Sequence, residues 1–371
     1  MNEQRDLRID TLRGLLLVII TINHFGMSLS EQWWAIRFTW QPLGYVSAAE
    51  GFVLLAGFVF ATVYARYGND FALLWQKARQ RAFDIYRYHL GLLLSLALCS
   101  FLIPAYRTVW IKWLAPYHQT PVTSTVASAF LLHQPPYLDI LPLYTLCVLG
   151  SPVVMYLLFR RKAALVLAGS FALWGLGQVL DPMAAATHFF TPGHRPAYFN
   201  ILAWQLLYVL GLYFGYKYHR NESLRLLAYR PVVGFIICCA AVLFLSRHAL
   251  LLPEITIGLD RPRLEWLRLV NVLLLAATIG SFLPKVPVHA QVPWLAFLGK
   301  HSLQVFSFHV ALLYLLAPLT ARVAGTLSIT WFTIFVAGTV LCLSVPASLR
   351  SRYREWLLAP EPAGPASAPV A

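Results

Sequence analysis

Arg13 and His24 stand eleven residues apart in TLRGLLLVIITINHF, and nearly everything between them is apolar. Eleven residues make three helical turns, so a helix projects both side chains from one face, about 16 Å apart along its axis. A guanidinium at the mouth of such a span can grip phosphate or carboxylate, and an imidazole deep inside it can take and return a proton. Ionisable groups are costly at that depth and mark a site or a wet path. The plainer reading makes Arg13 a topology anchor and leaves His24 satisfied by a neighbouring helix.

Further groups of this kind recur along the chain. RDLRIDTLRG adds Arg8 and Asp10 at the same membrane face, where Arg8 and Arg13 could hold phosphates and Asp10 either orients them or caps the helix. VSAAEGFVLLAGF carries Glu50 among small residues, an acid that could orient His24 as a general base or snorkel to water. KARQRAFDIYRYHLGLLL concentrates Arg79, Arg81, Asp84, Arg87 and His89 ahead of a span, with arginine forks suited to phosphate or carboxylate. YLDILPLY places Asp139 just before Pro142, where a broken helix can line a cavity. FNILAWQLLYVLG brings Trp204 and Gln205 into an apolar run, as interhelical glue or as substrate donors. In WLAFLGKHSLQVFSFHVALLY, Ser302 and His309 are seven apart and share a helical face, which His301 does not.

The elements that must position these groups are membrane helices. The chain has 371 residues, 59% hydrophobic and only 12% charged, with a mean hydropathy of +0.63. These values exclude an ordinary soluble domain. Ten apolar runs of spanning length cover 11–29, 46–66, 86–106, 137–159, 163–181, 199–217, 230–251, 267–284, 294–318 and 328–349. The expected fold is therefore an all-α polytopic membrane protein with about ten transmembrane helices in a single domain over 1–358, followed by a disordered Pro/Ala-rich tail at 359–371. No cleavage site follows the first run, which reads as a retained anchor.

Most Lys and Arg residues fall on one side if both termini face the cytosol, so N-in/C-in is the expected orientation. The net charge of +14 then reflects topology and anionic lipid headgroups, which argues against nucleic acid as a partner. All five cysteines lie in apolar runs without metal-ligand spacing; they read as small core residues, and no metal is expected. The segment around 107–136 reads as an external loop whose aromatics either stack on sugar rings or form an interfacial belt.

The motif Arg8-x-Asp10-x-x-Arg13-Gly14, followed ten residues later by His24, resembles the opening of the acyltransferase-3 superfamily of membrane O-acyltransferases. LGKHSLQVFSFH resembles that superfamily's late-helix motif. Together with AAEGFVLLAGF, IYRYHL, YLDILPLY and FNILAWQLLYVLG, the chain looks most like the OpgC family, associated with succinylation of osmoregulated periplasmic glucans. The resemblance implies a multi-pass protein of the bacterial inner membrane. Its donor substrate would be cytosolic acyl-CoA, with succinyl-CoA expected, and its acceptor a periplasmic glucan. Roles carry over onto Arg13 and His24, and onto Arg8, Asp10 and Glu50. Two departures stand out: Arg79-x-Arg81 and Arg87 stand where the superfamily often has Arg-x-x-Arg, and Asn23 precedes His24 where the resemblance leads us to expect Asp. The rival expectation is a proton-coupled transporter or flippase for a glycan or small anion, its buried His, Glu and Asp forming the path.

Overall fold

The computed structural model describes residues 6–29, 33–68, 70–190, 194, 196–222, 229–250, 252–287, 291–323 and 329–358. The tail at 359–371 lies outside the described residues. In order, the helices are α1 (Leu7–Leu29), α2 (Ile36–Thr39), α3 (Ala48–Tyr64), α4 (Phe71–Leu102), α5 (Pro104–Gln119), α6 (Pro121–Ala129), α7 (Ile140–Phe159) and α8 (Ala163–Gly177). They continue with α9 (Pro182–Phe190), α10 (Ile201–His219), α11 (Arg230–Arg247), α12 (Trp266–Phe282), α13 (Pro293–Lys300), α14 (Ser302–Val323), α15 (Ile329–Cys342) and α16 (Ser344–Leu358). Among the described residues there is no strand.

Seven of these segments are long and apolar enough to cross a membrane, and up to nine do so if each of two bent pairs counts as one span. The ten expected runs thus differ from the structure in two ways. First, α10 is long enough, but Gln205, Lys217, His219 and four tyrosines keep it from counting as a span by composition. Second, two runs are not straight spans: the one at 163–181 covers α8, which continues into α9 across a bend of 48°, and in the one at 294–318 α13 and α14 meet at 89°. Helix α4 has 32 residues, so it is about 48 Å long and overreaches the roughly 30 Å hydrocarbon layer. The segment expected as an external loop at 107–136 is largely helical, in α5 and α6.

Lipid-facing and core-facing surfaces separate clearly. Phe171 on α8, Phe235 on α11 and Leu341 on α15 are exposed, as membrane helices require where a bilayer covers them. Of the cysteines only Cys147 is buried, whereas Cys238 and Cys342 are exposed, so the reading of all five as core residues holds for Cys147 alone.

Two close helix crossings fix the interior. Helix α3 packs most extensively on α10. A Cβ added at Gly57 would lie 2.1 Å from the Tyr208 carbonyl oxygen, and one at Gly211 would lie 2.1 Å from that of Leu54. Helix α1 crosses α13 as tightly, since a Cβ at Gly299 would lie 1.9 Å from the Asp10 carbonyl oxygen. With little hydrophobic drive between helices in lipid, small residues at the contact permit the backbone approach that dispersion needs. The second crossing sets the first turns of α1 against the corner from which α14 departs.

Candidate active site

Helices α1 and α14 run side by side in the same direction, held at two levels. At the lower level the Arg13 guanidinium donates a hydrogen bond to Ser302 Oγ. Asp10 Oδ1 lies 3.7 Å from Arg13 Nη1. At the upper level His24 Nδ1 and His309 Nε2 are 2.9 Å apart. Ser302, Phe306 and His309 share one face of α14, as Arg13 and His24 share one face of α1. The right-angle break at His301 produces this pairing, because it lets α14 start beside Arg13 and rise along α1.

Each level opens into a cavity. A cavity of about 270 Å³ is lined by Arg13, Arg81, Lys300, Ser302, Tyr64 and Tyr144, among others. A second, of about 470 Å³, is lined by His24, Asn23, Trp40, Trp113, Tyr137 and Asp139, with Arg261 and Tyr198. Phe52 and Phe306 line both cavities. The two spaces therefore meet at a pair of phenyl rings, with Arg13, Arg81 and Lys300 on one side and, on the other, Arg261 and a His24 ring backed by His309.

The imidazole pair has a defined chemical consequence. One ring must donate and the other accept across the 2.9 Å contact. When His24 Nδ1–H donates to His309, His24 Nε2 carries a lone pair and can act as a base. A proton gained at Nε2 leaves an imidazolium whose Nδ1–H still points at an acceptor. Around this pair the Tyr137 ring lies 4.5 Å from that of His24, centroid to centroid. Tyr137 adopts φ +71°, a left-handed conformation uncommon for a residue with a side chain, and its hydroxyl is hydrogen-bonded to Ser28. Strain of this kind persists where the surroundings over-determine a side-chain position.

A family model described as OpgC protein matches residues 5–355, nearly the whole chain. The chain belongs to the OpgC family. No curated protein and no solved structure matches it.

The fold of this OpgC member separates its other sequence-nominated residues by location. Arg81 lines the Arg13 cavity, but Arg79 and Arg87 are exposed on α4, and Arg87 is paired with Asp84. Arg8 stands outside both cavities: its Nε donates to Asp6 Oδ1 at 2.9 Å and its Nη1 to the Leu283 carbonyl at 3.1 Å. Burial works to raise the Asp6 carboxyl, but hydrogen bonds from Arg8 and Tyr218 outweigh it and hold it below its ordinary value. Arg8 and Asp6 thereby tie the start of α1 to the ends of α10 and α12.

Glu50 does not meet His24. Its carboxylate closes a capping box with Ser47 and accepts from Arg268 Nε at 3.0 Å, with both side chains almost wholly buried. Asp139 lines the His24 cavity, and its Oδ1 accepts from the Tyr198 amide at 2.9 Å. Trp204 and Gln205 lie outside both cavities. Trp204 Nε1 donates to the Arg261 carbonyl at 3.0 Å, and Gln205 Nε2 donates to the Ser170 carbonyl at 2.8 Å. Both bind helices and connections together, the glue reading of their sequence context. Asn23 joins α1 to Thr39 at the end of α2, with Nδ2 donating to the Thr39 carbonyl at 2.7 Å.

Four contributors escape a reading of the sequence for sites: Lys300, Arg261, Phe306 and Arg268. Lys300 and Phe306 sit inside the late motif and carried signal as its members. Arg261 and Arg268 look like cations of an outer loop, and nothing local in the sequence reveals their partners.

Proposed function

We propose that this OpgC protein is a membrane O-acyltransferase that moves an acyl group, succinyl in the first instance, from cytosolic acyl-CoA to hydroxyls of a periplasmic glucan. One observation carries the reading: a cation-lined cavity and an imidazole-lined cavity lie back to back, separated by Phe52 and Phe306. Donor phosphates suit Arg13, Arg81 and Lys300, since guanidinium forks and an ammonium bind such anions. A cavity of about 270 Å³ takes the thioester arm of the donor and leaves its nucleotide outside. In this scheme the Arg13 side faces the cytosol and the His24 side the periplasm.

The chemistry then follows from the His24–His309 contact. A sugar hydroxyl enters the larger cavity, and its oxygen attacks the thioester carbonyl carbon as His24 Nε2 takes the hydroxyl proton. The carbon–sulfur bond breaks on collapse, the CoA thiolate recovers the proton from His24, and the products are a sugar ester and free CoA. His309 holds the His24 ring in the basic tautomer. Trp113 and Tyr137 offer ring faces to the sugar.

Purified protein in detergent, given succinyl-CoA and an oligomeric β-glucan, is expected to release CoA thiol only when the glucan is present. Arg13→Gln is expected to raise the donor KM about tenfold or more while leaving the acceptor KM in place, as loss of a charged contact worth ~1.5–3 kcal/mol requires. Thiol release independent of glucan, or an unchanged donor KM in that variant, would count against the proposal.

A further inference from the structure

Arg261 is the cation of the His24 cavity, and the scheme above leaves it without a task. It belongs to the connection between α11 and α12, and its backbone is fixed, with its carbonyl accepting from Trp204 Nε1 at 3.0 Å and from the Leu264 amide at 3.1 Å. Its guanidinium lies against three rings, with centroids at 5.1 Å for Trp40, 5.7 Å for Tyr198 and 5.9 Å for Phe199. Aromatic faces attract a cation but accept no hydrogen bond in the guanidinium plane. Arg261 Nε is buried and has no hydrogen-bond partner.

The acids of the neighbourhood have other commitments. Glu50 lies close enough to feel the Arg261 charge, but its oxygens are hydrogen-bonded to Arg268 and Ser47. Asp139 shares the cavity, but its Oδ1 accepts from the Tyr198 backbone. No carboxylate forms an ion pair with Arg261 among the described residues. The contrast with Arg268, further along the chain in α12 and bound to Glu50, is direct. The Arg261 side chain is half-buried, and its buried Nε–H is a costly group to leave unpaired unless something supplies the acceptor. The partner whose geometry fits a planar fork is a carboxylate with two oxygens.

We infer that Arg261 is the receptor for a free carboxylate on the acyl group, and so the residue that makes the enzyme select a dicarboxylic acyl donor over a neutral one of equal length. This rests on the transfer reading above. A glucan built only of hydroxyls brings no charge into the cavity, whereas a four-carbon dicarboxylic acyl group reacting at His24 carries one. The aromatic clasp holds the guanidinium while the anion is absent, so little ordering remains to be done when it arrives.

Wild-type protein is assayed with succinyl-CoA and with butyryl-CoA, in which a methyl group replaces the carboxylate. Succinyl is expected to be preferred by about 100-fold in kcat/KM, the range a site built around a polar group achieves against an analogue lacking it. Arg261→Met should bring the ratio near one, chiefly through the donor KM, and Arg261→Lys should restore part of it. Because the hydrogen bonds of Arg261 to the fold come from its backbone, and Met or Lys can still pack against the three rings, thermal unfolding of both variants should stay close to wild type. An unchanged ratio in Arg261→Met overturns the assignment. So do equal losses with both donors accompanied by a raised acceptor KM, which would put the anion on the glucan. Transfer of neither donor by the wild-type protein overturns the acyl-transfer reading itself.

Discussion

Replacing His24 with alanine is expected to lower acyl transfer by about 10³-fold, near the middle of the range for general-base catalysis and equivalent to about 4 kcal/mol of transition-state stabilisation. The residual rate would come from binding donor and acceptor side by side. His309 touches His24 at 2.9 Å and acts through it, so His309→Ala should cost less, about 10–100-fold. Groups acting as a unit are not additive. The double variant should therefore be no slower than His24→Ala alone. Kinetics of the three variants, each checked for normal membrane insertion, settle the matter. Full additivity of the two losses would separate His309 from the chemistry, and wild-type activity in His24→Ala would remove His24 from it.

Breaking the Glu50–Arg268 pair is expected to have the largest effect on stability. Both side chains are at most 2% exposed, so removing one partner leaves an uncompensated charge out of water. Such losses run to about 3–5 kcal/mol, whereas exchanging both partners for apolar groups is often near neutral. Arg268→Met should sharply reduce the unfolding temperature and yield of the detergent-solubilised protein. Glu50→Gln/Arg268→Met should recover much of the loss, although the capping box at the start of α3 also weakens when Glu50 changes. The experiment also weighs the expectation that Glu50 orients His24. If Glu50→Gln unfolds normally and abolishes transfer, the carboxylate belongs to the chemistry rather than to the frame.

Local periodicity made part of this site readable. Arg13 with His24 and Ser302 with His309 are each on one helical face by spacing alone, and α1 and α14 place the two faces together. Partners were not readable, because they come from elements far apart in the chain. Glu50 has Arg268 more than two hundred residues away, and no period connects them. The bend at His301 was hidden because the short polar stretch Gly299-Lys300-His301-Ser302 lies inside a run that is apolar on both sides and long enough to pass as one span. α10 shows the reverse case: its polar residues lower its hydropathy, yet most of its length is buried among other helices. Arg79 and Arg87 were nominated by type and proximity, and only Arg81 has the angular position on α4 that meets the Arg13 cavity. Helical phase decides between them, and the sequence does not say which face of a long amphipathic helix is the inner one.

The central claim is that a thioester and a sugar meet across the Phe52–Phe306 boundary from opposite sides of the membrane. The most direct measurement uses proteoliposomes of uniform orientation, with labelled succinyl-CoA supplied only on the Arg13 side and a β-glucan trapped only on the His24 side. The account predicts label on the glucan, absent in the His24→Ala protein. Label appearing only when both substrates share one compartment would contradict it.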